Sequence, residues 1–80
     1  MALSSTAVAA AIVENAGGGA WDHGVNAVQV WSNYSHDRVD HGSTAVGLRT
    51  VRSGCVKPGS TSYARAPRNV RNNQSFYRHC

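Results

Sequence analysis

Residues 25–34 read Val-Asn-Ala-Val-Gln-Val-Trp-Ser-Asn-Tyr, and this stretch decides the class of fold. Val28, Val30 and Tyr34 fall on one side of a two-residue period. Trp31 falls on the other side, as alternation along an extended chain requires. Valine and aromatic side chains suit a pleated, half-buried surface better than a helix. The pattern therefore predicts a β-strand over Val25–Tyr34.

Three later segments repeat this alternation, and turn-forming residues separate them. The predicted strands are Ser43–Arg52, Ser60–Ala66 and Ser75–Cys80. The predicted connections are a loop at 35–42, turns at Ser53-Gly54 and Lys57-Pro58-Gly59, and a polar loop at 67–74. Gly47 interrupts its strand and indicates a bulge or a close approach of another backbone. Several short strands between turns predict an all-β fold, a small antiparallel sandwich or barrel, with no helix longer than one turn after Gly17.

The composition agrees with a single small β domain. The 80 residues include eight valines and six aromatic residues after Ala16, but only one leucine and no isoleucine or methionine in that region. A content of 41% hydrophobic and 15% charged residues is not typical of a disordered chain. No apolar run reaches the roughly 18 residues that a membrane-spanning helix needs. The class of integral helical membrane proteins is therefore excluded.

Two cysteines, Cys55 and Cys80, are placed to stabilise so small a domain. A disulfide between them would close a loop of about 25 residues, which is worth roughly 3–4 kcal/mol in the chain-entropy model. Two unrelated reduced thiols are the alternative. Metal binding is disfavoured because neither cysteine belongs to a closely spaced pair of ligands. We predict one disulfide and a protein exported to an oxidising environment.

The first sixteen residues differ from the rest of the chain. They are apolar, rich in small residues and uncharged until Glu14, which is typical of the end of a signal peptide. Candidate cleavage motifs occur at Ala7-Val8-Ala9 and Ala9-Ala10-Ala11, and a short Ala-rich helix is the alternative. We predict a leader-like segment over 1–16, disordered or cleaved, a flexible hinge at Gly17-Gly18-Gly19, and a β domain over 17–80.

Several ordered motifs then resemble those of the lactococcin 972 family of bacteriocins. In sequence order they are Trp21-Asp22-His23-Gly24, Val30-Trp31-Ser32-Asn33-Tyr34, His41-Gly42-Ser43-Thr44-Ala45-Val46, Val51-Arg52-Ser53-Gly54-Cys55 and Asn73-Gln74-Ser75-Phe76-Tyr77-Arg78-His79-Cys80. The likeness covers Gly17 to Cys80, and the cysteine pair resembles that of the actinobacterial branch. It implies a secreted antibacterial protein made of two packed, roughly three-stranded antiparallel sheets. It also implies binding to the cell envelope, with lipid II as the target of the founding member, and impaired septum synthesis rather than pore formation.

The chain carries residue types that suit such a target. Arginine forks match phosphate oxygens, and aromatic faces offer apolar platforms to sugar rings. The candidate target-binding residues are Arg68, Arg71, Arg78, Trp21, Trp31, Tyr34 and Tyr77, with Arg49, Arg52 and Arg65 as further cations. The alternative is that the aromatics form the core and the arginines only solubilise the surface. Among these candidates we favour the loop that carries Arg68 and Arg71.

Catalytic and metal sites are not predicted. Histidines stand beside acids in Asp22-His23, His36-Asp37 and Asp40-His41, and together with His79 they could bind zinc or copper if the loops converged. The spacing from His36 to His41 matches neither a helical H-x-x-x-H pair nor a zinc finger, so polar loop residues are the preferred interpretation. No nucleophile elbow, phosphate loop or paired-carboxylate motif is present. We therefore expect a protein that is not an enzyme and that has no cofactor and no bound metal.

Two other classes of partner are alternatives to the cell envelope. Eight Lys and Arg against four Asp and Glu give a net charge of +4, which by itself favours nucleic-acid binding. The cations are scattered, however, and no nucleic-acid recognition motif is present, so we expect no nucleic-acid partner. A secreted protein-interaction module is the other alternative. An edge strand could pair two copies into a homodimer, although nothing in the sequence requires it.

Overall fold

A computed structural model of the protein describes residues 10–80, which form seven β-strands in two antiparallel sheets. The strands are β1 (Ala10–Ala16), β2 (Gly19–Val25), β3 (Gln29–Ser35), β4 (His41–Val46), β5 (Thr50–Arg52), β6 (Thr61–Pro67) and β7 (Gln74–His79). One sheet has the order β1-β2-β3-β6 and the other has the order β5-β4-β7. The predicted all-β sandwich of two antiparallel sheets is confirmed. Within the described part of the chain, no helix is long and apolar enough to cross a membrane.

The larger sheet has four strands, one more than expected, because β1 pairs with β2 in a hairpin. Ala16 pairs directly with Gly19, so Gly17 and Gly18 form a two-residue turn with φ angles of 58° and 86°. Two consecutive positive φ angles match the twist of a tight hairpin and suit glycine. The glycine run is therefore a defined turn and not a flexible hinge. Residues 10–16 form a strand, not an unstructured segment, while the leader interpretation stays a prediction because residues 1–9 lie outside the described part.

The predicted strand over Val25–Tyr34 was wrong in its first half. Residues 26–28 form the turn between β2 and β3, and the Asn26 side chain accepts hydrogen bonds from the backbone N–H groups of Val28 and Gln29, each at 2.9 Å. Asparagine commonly builds such turns by bonding to the backbone two residues ahead. Val28 is therefore exposed at the turn, whereas Val30 and Tyr34 are buried as the alternation predicts.

The predicted strand over Ser43–Arg52 is in fact a hairpin of β4 and β5. Residues 47–49 form its turn, in which the Leu48 N–H donates to the Pro67 carbonyl at 2.9 Å. A side chain on Gly47 would place its Cβ only 2.0 Å from that same Pro67 oxygen. The close backbone approach predicted at Gly47 is confirmed, and it is the reason that the chain turns there.

The two remaining predicted strands are confirmed within one or two residues, as β6 and β7. Neither pairs with its neighbour in sequence, because β6 joins β3 and β7 joins β4. In the first of these pairings Tyr34 lies opposite Ser62, and in the second Ser43 lies opposite Tyr77. The chain therefore crosses between the sheets twice after β5, and these crossings bring strands distant in sequence together.

The interior between the sheets is built from small side chains. Its buried apolar residues are Val30, Tyr34, Ala45, Ala64 and Ala66, and its buried polar residues are Ser32, His36, His41, Ser43 and Ser62. Serine hydroxyls bond from one sheet to the other: Ser43 to Ser62, Ser32 to the Phe76 carbonyl at 2.8 Å, and Ser75 to the Trp31 carbonyl at 2.9 Å. No buried side-chain polar atom within residues 10–80 lacks a hydrogen-bond partner. The polar interior is therefore satisfied, as burial of hydroxyls requires.

The predicted disulfide between Cys55 and Cys80 is confirmed, with the two Cα atoms 6.3 Å apart. Backbone hydrogen bonds join the chain at or next to each cysteine to the start of β4. Val56 exchanges two hydrogen bonds with His41, and the Cys80 N–H donates to the Asp40 carbonyl at 2.9 Å. The disulfide thus fastens the end of the chain and the β5–β6 connection to the start of β4.

Reduction of the disulfide should lower the free energy of unfolding by about 3–4 kcal/mol, because the unfolded chain regains the freedom of the open loop. For a domain of this size such a loss corresponds to a fall in melting temperature of more than about 10 °C. Circular dichroism melts with and without reductant measure the change, and the Cys55→Ser/Cys80→Ser double variant should melt like the reduced protein. Two reactive thiols in the unreduced, denatured protein would contradict the prediction.

Ser62→Ala should lower the free energy of unfolding by about 1–2 kcal/mol. The change removes the hydroxyl that donates to the Tyr34 carbonyl at 3.0 Å and that bonds to the Ser43 hydroxyl between the sheets. Urea denaturation followed by fluorescence measures the loss. Ser60→Ala is the matched control, since Ser60 is exposed in the turn before β6. Equal stability of the two variants would show that the buried serine contributes nothing.

Candidate binding surfaces

Three of the four aromatic residues predicted to bind the target lie in the layer between the sheets. Tyr34 is fully buried and stacks on Tyr77 with ring centroids 4.4 Å apart. Trp21 meets the edge of Tyr77 at 4.9 Å, and its Nε1–H donates to the Ser32 hydroxyl at 2.9 Å. These rings supply bulk that the small serine and alanine side chains of the interior lack. Their first role is to hold the sheets together.

Histidine side chains surround Tyr34, and their ring nitrogens lie within hydrogen-bond distance of the Tyr34 hydroxyl and of backbone groups. The Tyr34 hydroxyl donates to the Ala16 carbonyl at 2.7 Å and lies 3.1 Å from Nε2 of His79. Nε2 of His36 lies 3.2 Å from the Gly17 carbonyl, while its Nδ1 accepts from two backbone N–H groups. This neighbourhood clamps the first hairpin turn to the body of the domain.

His41 is the most deeply buried of the histidines. Its two ring nitrogens each lie 2.8 Å from a backbone carbonyl oxygen, one of Val39 and one of Ser60. Both ring nitrogens therefore face hydrogen-bond acceptors of the backbone. The ring nitrogens of His36 and His41 are thus occupied by the backbone, whereas those of His23 and His79 contact the side chains of Glu14 and Tyr34. Among residues 10–80, no cluster of three or more His, Cys, Asp or Glu side chains is arranged to hold a metal ion.

Burial raises the pKa of the Tyr34 phenol above its usual value of 10.0, because the phenolate would lose its hydration. The neighbouring Tyr77 raises the pKa further, whereas a hydrogen bond with the backbone of Gly19 acts in the opposite direction. The folded protein therefore holds this proton more tightly than the unfolded chain does.

Trp31 lies apart from the other predicted aromatics, on the outer face of the four-stranded sheet. Its neighbours in register are Gly24 on β2 and Arg65 on β6. Because Gly24 has no side chain, the indole has room to lie across β2, where its Nε1–H donates to Oδ1 of Asp22 at 3.0 Å. The ring is therefore fixed along the sheet surface instead of entering the core.

A groove of about 900 Å³, which we call the outer-face groove, lies along this face and extends past β6 to Val51 of the other sheet. A row of three residues in direct register, Asp22, Asn33 and Tyr63, crosses it beside Trp31 and Arg65. Tyr63 is 69% exposed and is the most open of the aromatic rings. The remaining lining residues are Val13, Asn26, Gln29, Val51 and Ala64. The groove thus combines two aromatic side chains with amide, carboxylate and guanidinium groups.

Trp31, one of the predicted target-binding residues, lies in this groove, whereas Asp22, Asn33 and Tyr63 were not predicted as its neighbours. Alternation along β3 does place Trp31 and Asn33 on the face opposite Val30. The missing information was the register between β3 and β6, two strands separated by 25 residues of sequence (Ser35 to Thr61). A single strand pattern does not determine which residues of a distant strand stand opposite.

The arginines predicted to bind the target occupy two separate places. Arg68 and Arg71 are exposed on the β6–β7 connection, which is braced by two hydrogen bonds between Asn69 and Asn73, at 2.7 and 3.0 Å. We call this segment, residues 68–73, the arginine loop. Arg78 is exposed on β7, with Nη2 3.5 Å from the sulfur of Cys55. The three arginines therefore do not converge on a single site.

The free energy of unfolding should decline as the pH rises above 10.0, the usual pKa of a tyrosine. The contribution of the Tyr34 proton to the free energy of unfolding is fully present below that pH. It is lost as the pH rises through the higher pKa of the folded state. Tyr34→Phe should show a shallower decline, although its stability at neutral pH falls by about 1 kcal/mol with the lost hydroxyl bond. Urea denaturation across pH 9–11 tests this, with the exposed Tyr63→Phe as the control. An unchanged decline in Tyr34→Phe would refute it.

Comparison with known proteins identifies a family. The model of a family described as Bacteriocin (Lactococcin_972) matches residues 17–77. No curated protein and no solved structure matches the chain. The matched region begins at the first hairpin turn, includes all of β2 to β6 and ends within β7, so it contains the interior aromatic layer, the outer-face groove and the arginine loop. The chain belongs to the lactococcin 972 family of bacteriocins.

Proposed function

We propose that the protein is a secreted antibacterial protein that binds the cell envelope of sensitive bacteria and impairs wall or septum synthesis. The family match over residues 17–77 is the observation that carries this proposal, because bacteriocins act on other bacterial cells. The target proposed is the wall precursor lipid II. The protein acts by binding, without a cofactor and without catalysing a reaction.

The charges of the chain support an anionic target. The net charge is +4, and seven of the eight cations are arginines, which pair with phosphate oxygens through two parallel hydrogen bonds. Arg68 and Arg71 extend from a braced loop into solvent, and the only ion pair within residues 10–80 joins His23 to Glu14. These two guanidinium groups are therefore free to meet a pyrophosphate or an anionic membrane surface. An excess of positive charge also speeds the approach to such a surface.

The decisive experiment adds the purified protein to growing bacteria related to the source of the chain. Expected results are co-sedimentation of the protein with isolated envelopes and accumulation of the lipid-linked wall precursor in treated cells. The reduced and alkylated protein is the control that tests whether binding requires the folded domain. Strong salt-dependent retention on DNA, with no envelope binding and no effect on cells, would favour a nucleic-acid partner and overturn the proposal.

Arg68→Ala/Arg71→Ala should weaken envelope binding by at least about tenfold, since each charged hydrogen bond is worth roughly 1.5–3 kcal/mol. The melting temperature should stay nearly unchanged, because both side chains are exposed. Arg38→Ala/Lys57→Ala is the matched control, since it removes the same charge from exposed positions outside the arginine loop. Co-sedimentation at several protein concentrations measures the affinity. Equal affinities of the two double variants would mean that only overall charge matters.

A further inference from the structure

We propose that the outer-face groove is a saccharide-binding site that takes an uncharged pyranose ring. The inference rests on the proposed function, because it names the chemical class of envelope component that this surface recognises. The site consists of Trp31, Tyr63, Asp22, Asn33 and Arg65, which come from three adjacent strands of one sheet.

The aromatic side chains of the groove are placed for stacking and not for the core. Tyr63 is 69% exposed, although its neighbours along β6, Ser62 and Ala64, are buried. The Trp31 indole is held against the sheet by its bond to Asp22, so the ring is anchored before any ligand arrives. The axial C–H groups of a pyranose give it an apolar face that packs on aromatic rings. A preformed aromatic surface loses little conformational entropy when it binds such a face.

The polar side chains of the groove suit adjacent hydroxyl groups. Asn33 lies in register between Asp22 and Tyr63, so an amide, a carboxylate and a phenol stand side by side. One oxygen of Asp22 accepts the indole N–H, which leaves its second oxygen for a ligand hydroxyl. Planar amide, carboxylate and guanidinium groups each present two hydrogen-bonding positions to the ligand. This combination of a few polar groups with aromatic surface is typical of small-molecule sites.

Charge and size favour a neutral ring over a phosphate or a lipid. The groove contains one guanidinium, Arg65, and one carboxylate, Asp22, whose charges balance, whereas a phosphate site concentrates cations. Its volume of about 900 Å³ lies within the range of roughly 300–1,000 Å³ that is usual for small-molecule sites. A lipid chain would instead require an apolar lining, which the row of Asp22 and Asn33 interrupts.

Titration of the isotope-labelled protein with chitotriose and with cellotriose, followed by NMR, tests the proposal directly. The Trp31 indole N–H signal should shift with at least one of these sugars, whereas the Trp21 signal, from the interior, should not. Inorganic pyrophosphate should leave the Trp31 signal unchanged. Tyr63→Ala should weaken the sugar affinity by at least about tenfold, as expected for a central aromatic contact. Tyr63→Phe should retain most of the affinity because the ring remains.

Phe76→Ala is the matched control, since Phe76 is 49% exposed on the other sheet and contributes nothing to the groove. Absence of any Trp31 shift at millimolar sugar would overturn the inference, as would full sugar affinity in Tyr63→Ala. Envelope binding by the same samples separates the two proposals. Envelope binding without a sugar response removes only the saccharide site, whereas a sugar response without envelope binding removes the proposed function and leaves the site.

Discussion

Serine hydroxyls bonded from sheet to sheet are the constraint on which this structure depends. Ser43 meets Ser62 between the sheets, while Ser32 and Ser75 each donate to a carbonyl of the opposite sheet. Such bonds require the two backbones to lie close together, so alanine and serine occupy most of the interior. Val30 is the only large aliphatic side chain fully buried among residues 10–80. Because apolar burial is limited, complete hydrogen bonding and one disulfide must supply much of the stability.

This thin interior also determines where the aromatic residues lie. Half of the six, Trp21, Tyr34 and Tyr77, fill the layer between the sheets, where they stack on one another. The interior has no room for more, so Trp31 and Tyr63 remain on the outer face of the larger sheet. An exposed aromatic surface beside polar groups indicates a binding role. A protein with so few large apolar residues would gain stability by burying these rings, so their exposure has a cost. The exposed aromatic surface is therefore consistent with the same limit that makes the core polar.

The sequence alone predicted the kind of fold, β6, β7 and the disulfide, because each depends on local alternation or on the cysteine count. It failed where tertiary contacts override the local pattern. β2 contains Asp22, His23 and Gly24, which are poor strand formers, and only its pairing with β1 and β3 makes it a strand. The predicted strand over Val25–Tyr34 begins with a turn built by the Asn26 side chain, and the one over Ser43–Arg52 is a hairpin whose turn contains Gly47, where Pro67 approaches closely. The groove required the register of distant strands, and only Trp31 of its residues was among the seven predicted to bind the target.

The arginine loop and the outer-face groove are two surfaces of different chemistry that begin at the same edge of the molecule. Gln29, which lines the groove, pairs with Pro67, and Arg68 follows directly, with its N–H donating to the Val28 carbonyl at 3.0 Å. One surface is cationic and suits an anion, whereas the other is balanced in charge and suits a neutral ring. A ligand whose sugar and phosphate groups span the distance between the two surfaces would engage both, and the second contact would then form at high effective concentration. On the two proposals together, a wall glycan would engage both surfaces, whereas a plain anionic membrane would engage only the arginines.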